Sequence, residues 1–141
     1  MLHAVRRLQF CSGHRVFQHE SKCANPHGHN YVIFIHALAP ELDSIGRVID
    51  FSVLKEKLGA WIDQNWDHTF ICYEKDEQMI NACKSVDRNK DIYIMKKNPT
   101  AENMAEHLLN DICPLLFQNL DITITKIVLW ETENCYVEVV L

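Results

Sequence analysis

The chain has no C-x-x-C pair, no internal repeat, no low-complexity tract, and only four glycines and four prolines in 141 residues. Without a C-x-x-C pair, neither a zinc ribbon nor a thioredoxin-type redox site is available. The lack of a Gly/Ser-rich linker, at this length, predicts one domain over 1–141. No apolar run approaches the ~20 residues needed to cross a bilayer. The segment from Met1 to Phe10 carries Arg6 and Arg7 but no continuous apolar stretch, so it does not read as a signal peptide. Positive charge is also in short supply: 14 Lys and Arg against 19 Asp and Glu give a net charge of -5. A nucleic-acid surface needs clustered Lys and Arg, which argues against such a partner. The expectation is a cytoplasmic protein without membrane or nucleic-acid partners.

Six cysteines are present, and an even number raises the question of a disulfide framework. The missing secretion signal and the 48% apolar composition argue against one, because the chain can fold without staples. Most of the cysteines read as small core residues. Cys23 alone calls for a functional reading.

The hydrophobic pattern predicts strands over Val5–Phe10 and Tyr31–Leu38, the second almost unbroken in apolar residues. Asp50 is placed to cap a helix reaching about Asn65, with Phe51, Leu54, Leu58, Trp61 and Ile62 at helical spacing. Thr100 is placed to cap a second, with Met104, Ala105, Leu108, Leu109 and Ile112 on one face, and Pro114 is expected to end or kink it. Ile122–Trp130 and Cys135–Leu141 read as a hairpin around Thr132-Glu133-Asn134. Between Cys72 and Asn98 only a short helix near Asp76–Lys84 and a short strand at Ile92–Met95 are suggested. The sum is an α+β fold: a four-stranded antiparallel sheet in the order β-β-α-α-β-β, with two helices on one face. Its two edges would be closed by pairing with other subunits, so a homo-oligomer is expected.

The densest chemical signal is His27-Gly28-His29. In an extended segment, alternation puts both imidazoles on one face and Gly28 on the other. Zinc favours imidazole, and a catalytic zinc takes three protein ligands and keeps one position open. His14, at the end of the neighbouring strand, is the natural third ligand. Of the other histidines, His36 reads as a core residue bonded to backbone and His107 as lying on the polar side of its helix. Cys23, four residues before His27, has two competing roles. It could close a Cys-His₃ shell as a fourth ligand, or serve beside an open zinc as a thiolate base. Asp67-His68 is a pair in which the carboxylate can orient the imidazole. The bland role of Glu102 is to favour the start of its helix, and that of Glu131 is a solvated turn.

Six patterns occur in order: Phe10-Cys-Ser-Gly-His14, Cys23-x-x-x-His27-Gly-His29-Asn30-Tyr31, Ile49-Asp50-Phe51, Asp67-His68, Pro99-Thr100-Ala-Glu102-Asn103 and Trp130-Glu131-Thr132. Together they resemble the 6-pyruvoyltetrahydropterin synthase / 6-carboxytetrahydropterin synthase family over nearly the whole chain. The resemblance implies the tunnelling fold (T-fold), whose subunits trimerise into a β-barrel and usually stack as a hexamer. It implies Zn2+ on His14, His27 and His29, and proton transfer by Cys23, Asp67 and His68. It also implies a pterin ring held by Glu131, assisted by Glu102 within the Thr100-x-Glu102 motif.

The substrate implied is 7,8-dihydroneopterin triphosphate. The pyruvoyl enzymes stop after elimination and rearrangement; the carboxy enzymes also release acetaldehyde and give 6-carboxy-5,6,7,8-tetrahydropterin for queuosine and 7-deazapurine synthesis. The three-residue gap between Cys23 and His27 resembles the carboxy type. Two departures stand out: Gly13 replaces the commoner alanine, and the connection from Cys72 to Asn98 is longer than in compact members.

Overall fold

The computed structural model describes residues 1–141. Its centre is the antiparallel pair β1 (Ala4–His14) and β2 (His27–Leu38), in register from Ala4 opposite Ala37 to His14 opposite His27. Both strands run past the lengths predicted for them, and the extra residues are those of the two histidine motifs. β5 (Thr123–Thr132) pairs with β2, and β6 (Cys135–Val140) closes the predicted hairpin.

The sheet has six strands rather than the four expected, in the order β4-β3-β1-β2-β5-β6. β3 (Thr69–Tyr73) lies parallel to β1, and β4 (Tyr93–Met95) parallel to β3, so the sheet is mixed. β4 lies within the predicted Ile92–Met95. β3 was not predicted: its five residues lack the alternation that marks a half-buried strand. The α+β class holds.

Asp50 caps α1 (Phe51–Leu54) by accepting from Ser52 N–H. This helix continues through a wide π turn at Lys55–Gly59 into α2 (Ala60–Asn65), one rod of the predicted length. α3 is the short helix Glu77–Lys84, capped by the Asp76 side chain. Thr100 caps α4 (Ala101–His107), which passes through a second π turn at Leu108–Ile112 into α5 (Cys113–Leu116). Pro114 does not end this helix where expected. It sits in the first turn of α5, where a missing N–H costs least, just after the π turn has reset the bonding pattern.

The helices cover one face of the sheet. Tyr31, Ile33, Ile35, Ile127 and Leu129 meet Leu54, Leu58, Trp66, Met104 and Leu108 in a core where each is fully buried. Burying side chains of this size contributes about 1.5–3 kcal/mol each. His36 is not among them: it lies half-buried on the opposite face, its ring 6.3 Å from that of His3. It follows the alternation of β2, which puts even-numbered residues outward. Of the cysteines only Cys72 and Cys113 are buried, so most are not core residues as expected; Cys135 is exposed and the other three are half-buried. No helix is long and apolar enough to cross a membrane.

Candidate metal centre and its cleft

Strand pairing assembles the histidines. His14 faces His27 directly across β1 and β2, and His29 is diagonal to it, opposite Ser12. Side chains at such positions are within reach of each other on one face. The ring centroids of His14 are 4.7 Å from His27 and 5.1 Å from His29, and one nitrogen from each of the three lies within 4.8 Å of the others.

The hydrogen bonds select the nitrogens. His14 Nδ1 is 2.7 Å from the Pro99 carbonyl, and His27 Nδ1 is 2.6 Å from the Asn25 carbonyl. A carbonyl can only accept, so both Nδ1 atoms carry the proton. The Tyr31 hydroxyl, 3.4 and 3.5 Å from the two nitrogens of His14, is too distant to commit either, and both Nε2 lone pairs remain for a ligand. His29 Nε2 is buried without a hydrogen-bond partner; its nearest charged neighbour is Glu131 Oε1 at 3.6 Å. A buried unpartnered nitrogen beside two oriented imidazoles fits a metal ion. Burial, together with the other two imidazoles, lowers the His14 pKa to about 4 against the Pro99 hydrogen bond, keeping the ring neutral as a ligand must be.

Two clefts meet at His29. One, of about 570 Å³, runs between His27, His29 and His68, with Cys11 and Phe70 in its wall. The other, of about 610 Å³, is bounded by His29, Trp130, Glu131 and Thr132. They share Gly28, His29 and Asn30, so the two clefts adjoin there, one reaching His68 and the other Glu131; His14 lines neither. Either volume suits a small ligand. Glu131 lies where the pairing of β5 with β6 shifts register, between Trp130 and Thr132. Such a bulge re-aims a side chain. Here the carboxylate comes close to His29 rather than pointing into a solvated turn.

Asp67 and His68 form the turn between α2 and β3. Asp67 Oδ1 accepts from Cys11 N–H at 2.9 Å, and Oδ2 is 2.7 Å from His68 Nδ1. Partial burial raises the Asp67 pKa, but the Cys11 hydrogen bond, the His68 hydrogen bond and charge, and the Lys90 charge outweigh it and hold the carboxylate below its ordinary range. The His68 side chain is 78% exposed at the rim of the groove.

The other predicted residues are not gathered there within the single chain. Cys23 lies half-buried in a short 3₁₀ turn, Lys22–Ala24, and does not line either cleft. Thr100 is engaged in capping α4, and Glu102 is exposed in its first turn. Their segment touches the centre through Pro99, whose carbonyl orients His14. Sequence reasoning did not foresee this partner, since nothing local marks which carbonyl a histidine 85 residues away will use. Gly13 also has a local reason: a Cβ there would lie 2.7 Å from the Phe70 ring.

The sequence profile of the 6-pyruvoyl tetrahydropterin synthase family matches residues 3–140. A 6-carboxy-5,6,7,8-tetrahydropterin synthase of Rickettsia conorii is 43% identical over 139 residues, covering 99% of this chain and all of that protein. The protein of that name from Haemophilus influenzae is 28% identical, with 98% of each chain covered. Among solved structures, an uncharacterized protein of Wolinella succinogenes superposes with a TM-score of 0.81 at 22% identity, covering 99% of this chain and 97% of its own. The chain therefore has the T-fold and belongs to the 6-pyruvoyl tetrahydropterin synthase family.

Proposed function

We propose that this protein is a zinc-dependent 6-carboxy-5,6,7,8-tetrahydropterin synthase. With one water, it converts 7,8-dihydroneopterin triphosphate to 6-carboxytetrahydropterin, acetaldehyde and triphosphate, and serves queuosine and 7-deazapurine synthesis. The observation that carries the reading is the set of three imidazoles with nitrogens left for one ion. The choice of product is supported by the full-length likeness to the Rickettsia protein of that name.

His14, His27 and His29 would hold the ion. Zinc, when bound, supplies a Lewis acid for the side-chain hydroxyls and the carbonyl that develops from them. Glu131 accepts the N–H groups at the guanidine-like edge of the pterin, which its place in the second cleft permits. Cys23 as thiolate removes a substrate proton, and His68, oriented by Asp67, relays protons at the rim. Thr100 and Glu102 support the pterin pocket. Cys23, Thr100 and Glu102 lie away from the groove of a single chain, which supports a site completed by a second copy. The open edges of the sheet, β4 and β6, with Ile94, Tyr136 and Val140 exposed, support the same homo-oligomer.

The test is incubation of the zinc-loaded protein with 7,8-dihydroneopterin triphosphate, measuring acetaldehyde and triphosphate together. Equal amounts are expected. Triphosphate without acetaldehyde would make it a 6-pyruvoyltetrahydropterin synthase instead. Release of neither, with zinc retained, would leave a non-catalytic zinc-binding oligomer with Cys23 as fourth ligand.

A further inference from the structure

We propose that Lys90 is a positioning residue for the Asp67–His68 pair, pinning the peptide of Asp67 so that the His68 imidazole stays over the groove. The inference rests on the reading of this pair as a proton relay.

The pair needs outside support. His68 has φ of 54°, one of two non-glycine residues in the left-handed region, and such a conformation persists only where the surroundings fix it. Its exposed side chain gains little packing of its own. The imidazole is placed by its backbone and by Asp67.

Four hydrogen bonds hold this turn from the side of β1 and α2. His68 N–H donates to the Cys11 carbonyl at 2.7 Å, and Cys11 N–H returns to Asp67 Oδ1. Trp66 and Asp67 N–H both go to the Ile62 carbonyl, each at 2.8 Å. In a continuing helix the Asp67 N–H would instead satisfy the Asp63 carbonyl, so the helix end leaves that acceptor over. The Lys90 ammonium donates to the Asp63 carbonyl and to the Asp67 carbonyl as well. A cation at a helix C-terminus is favourable on both hydrogen-bonding and dipole grounds. Here its second bond falls on the peptide that joins Asp67 to His68.

The segment carrying Lys90 is itself fixed to the same turn. Thr69 Oγ1 donates to the Asp91 carbonyl at 2.7 Å, and β4 begins two residues later, with Tyr93 beside Ile71 of β3. Lys90 and Asp91 thus grip residues 67 and 69 on either side of His68. The long Cys72–Asn98 connection thereby acquires a purpose, since it returns the chain to the Asp67–His68 turn. The Lys90 charge also helps keep Asp67 ionised, the state that can orient an imidazole.

The experiment is steady-state kinetics on 7,8-dihydroneopterin triphosphate for Lys90→Met, Lys90→Arg, Asp67→Asn and the double variant, with zinc content measured for each. A displacement of about 1 Å in a catalytic group costs up to about 100-fold. Lys90→Met is expected to lower kcat about 10- to 100-fold with KM nearly unchanged, since Glu131 and its cleft are untouched. Zinc content stays the same, and Lys90→Arg restores most of kcat because a guanidinium can bridge the same carbonyls. In the Asp67→Asn background Lys90→Met costs almost nothing more. If Lys90→Met does not fold, Lys90→Gln takes its place. Because it can still donate to one carbonyl, a smaller fall in kcat is expected, with KM and zinc content unchanged, and wild-type kcat in it overturns the role equally. Wild-type kcat in Lys90→Met, beside a loss in Asp67→Asn, overturns the role of Lys90 alone. A parallel rise in KM, or no rescue by arginine, also overturns it in favour of a general structural role. Wild-type turnover in Asp67→Asn overturns the relay and the Lys90 inference together.

Discussion

Two aromatic clusters in this chain contain histidine, one with three and one with His107 alone, and they spend the ring nitrogens differently. On the same helix-covered face, beyond Tyr31 and Phe10, His107 lies against the rings of Trp61, Trp66 and Tyr93. Its Nε2 is 2.6 Å from the Tyr93 hydroxyl and its Nδ1 is 2.7 Å from Asp111 Oδ2, so both nitrogens are used. In the three-histidine set, His14 and His27 each commit Nδ1 to a carbonyl and keep Nε2, while His29 has a buried Nε2 with no partner. A satisfied histidine ties β4 to the helix layer; unspent nitrogens converging on one point describe a ligand site. The sequence alone does not separate the two kinds, because eight histidines look alike until their partners are known.

The sharpest way to break this contrast is to remove an unspent nitrogen. His29→Ala is expected to lose both bound zinc and turnover, whereas Cys23→Ala keeps zinc and loses about 10²- to 10⁴-fold in kcat. Metal analysis beside kinetics checks both. Wild-type turnover in Cys23→Ala would remove it as the base, and zinc X-ray absorption of the resting protein would show whether its sulfur is a ligand instead.

A smaller effect is expected at the carboxylate beside His29. Glu131→Gln keeps the shape of the cleft but, without the charge, cannot accept as strongly from a cationic or amidine-like edge. It should retain zinc and weaken substrate binding by about 10- to 100-fold, since a charge-assisted hydrogen bond is worth about 1.5–3 kcal/mol. Titration with a pterin product analogue measures it. Loss of zinc would instead make Glu131 a support of the metal centre.

The smallest functional effect belongs to the satisfied cluster. His107→Phe is expected to leave zinc content and kcat unchanged while costing about 1–3 kcal/mol of stability, because a part-buried hydroxyl and a carboxylate lose their partner. Denaturant unfolding followed by tryptophan fluorescence reads this, with Trp61 and Trp66 at the site. A fall in turnover without a fall in stability would erase the distinction between the clusters.

What the sequence made legible follows from local pattern. The helical spacing from Phe51 to Ile62, the caps Asp50 and Thr100, and the hairpin around Glu133 are written in residues close together. So was the histidine set, because His27-Gly28-His29 alternates on a strand and His14 ends its neighbour. β3 escaped notice because it is short and pairs in parallel with β1, a strand far back in the chain. The aim of Glu131 depends on a register shift, and the His14 tautomer on Pro99 across 85 residues. Such facts arise from tertiary pairing, which periodicity does not encode. His36 shows the opposite error: an apolar run predicted a buried strand on both sides, while the outer face is covered only in part.

The close approach of Gly13 to Phe70 has a bearing on how such a chain can drift among its relatives. The phenyl ring stands in the groove wall, in the space a methyl at position 13 would need. A lineage that acquires alanine at 13 must therefore move or trim the ring at 70, and a lineage that keeps the ring where it is must keep the glycine. The two positions are expected to be inherited as a pair, so exchange of one without the other would reshape the entrance beside His27 before it touched a ligand.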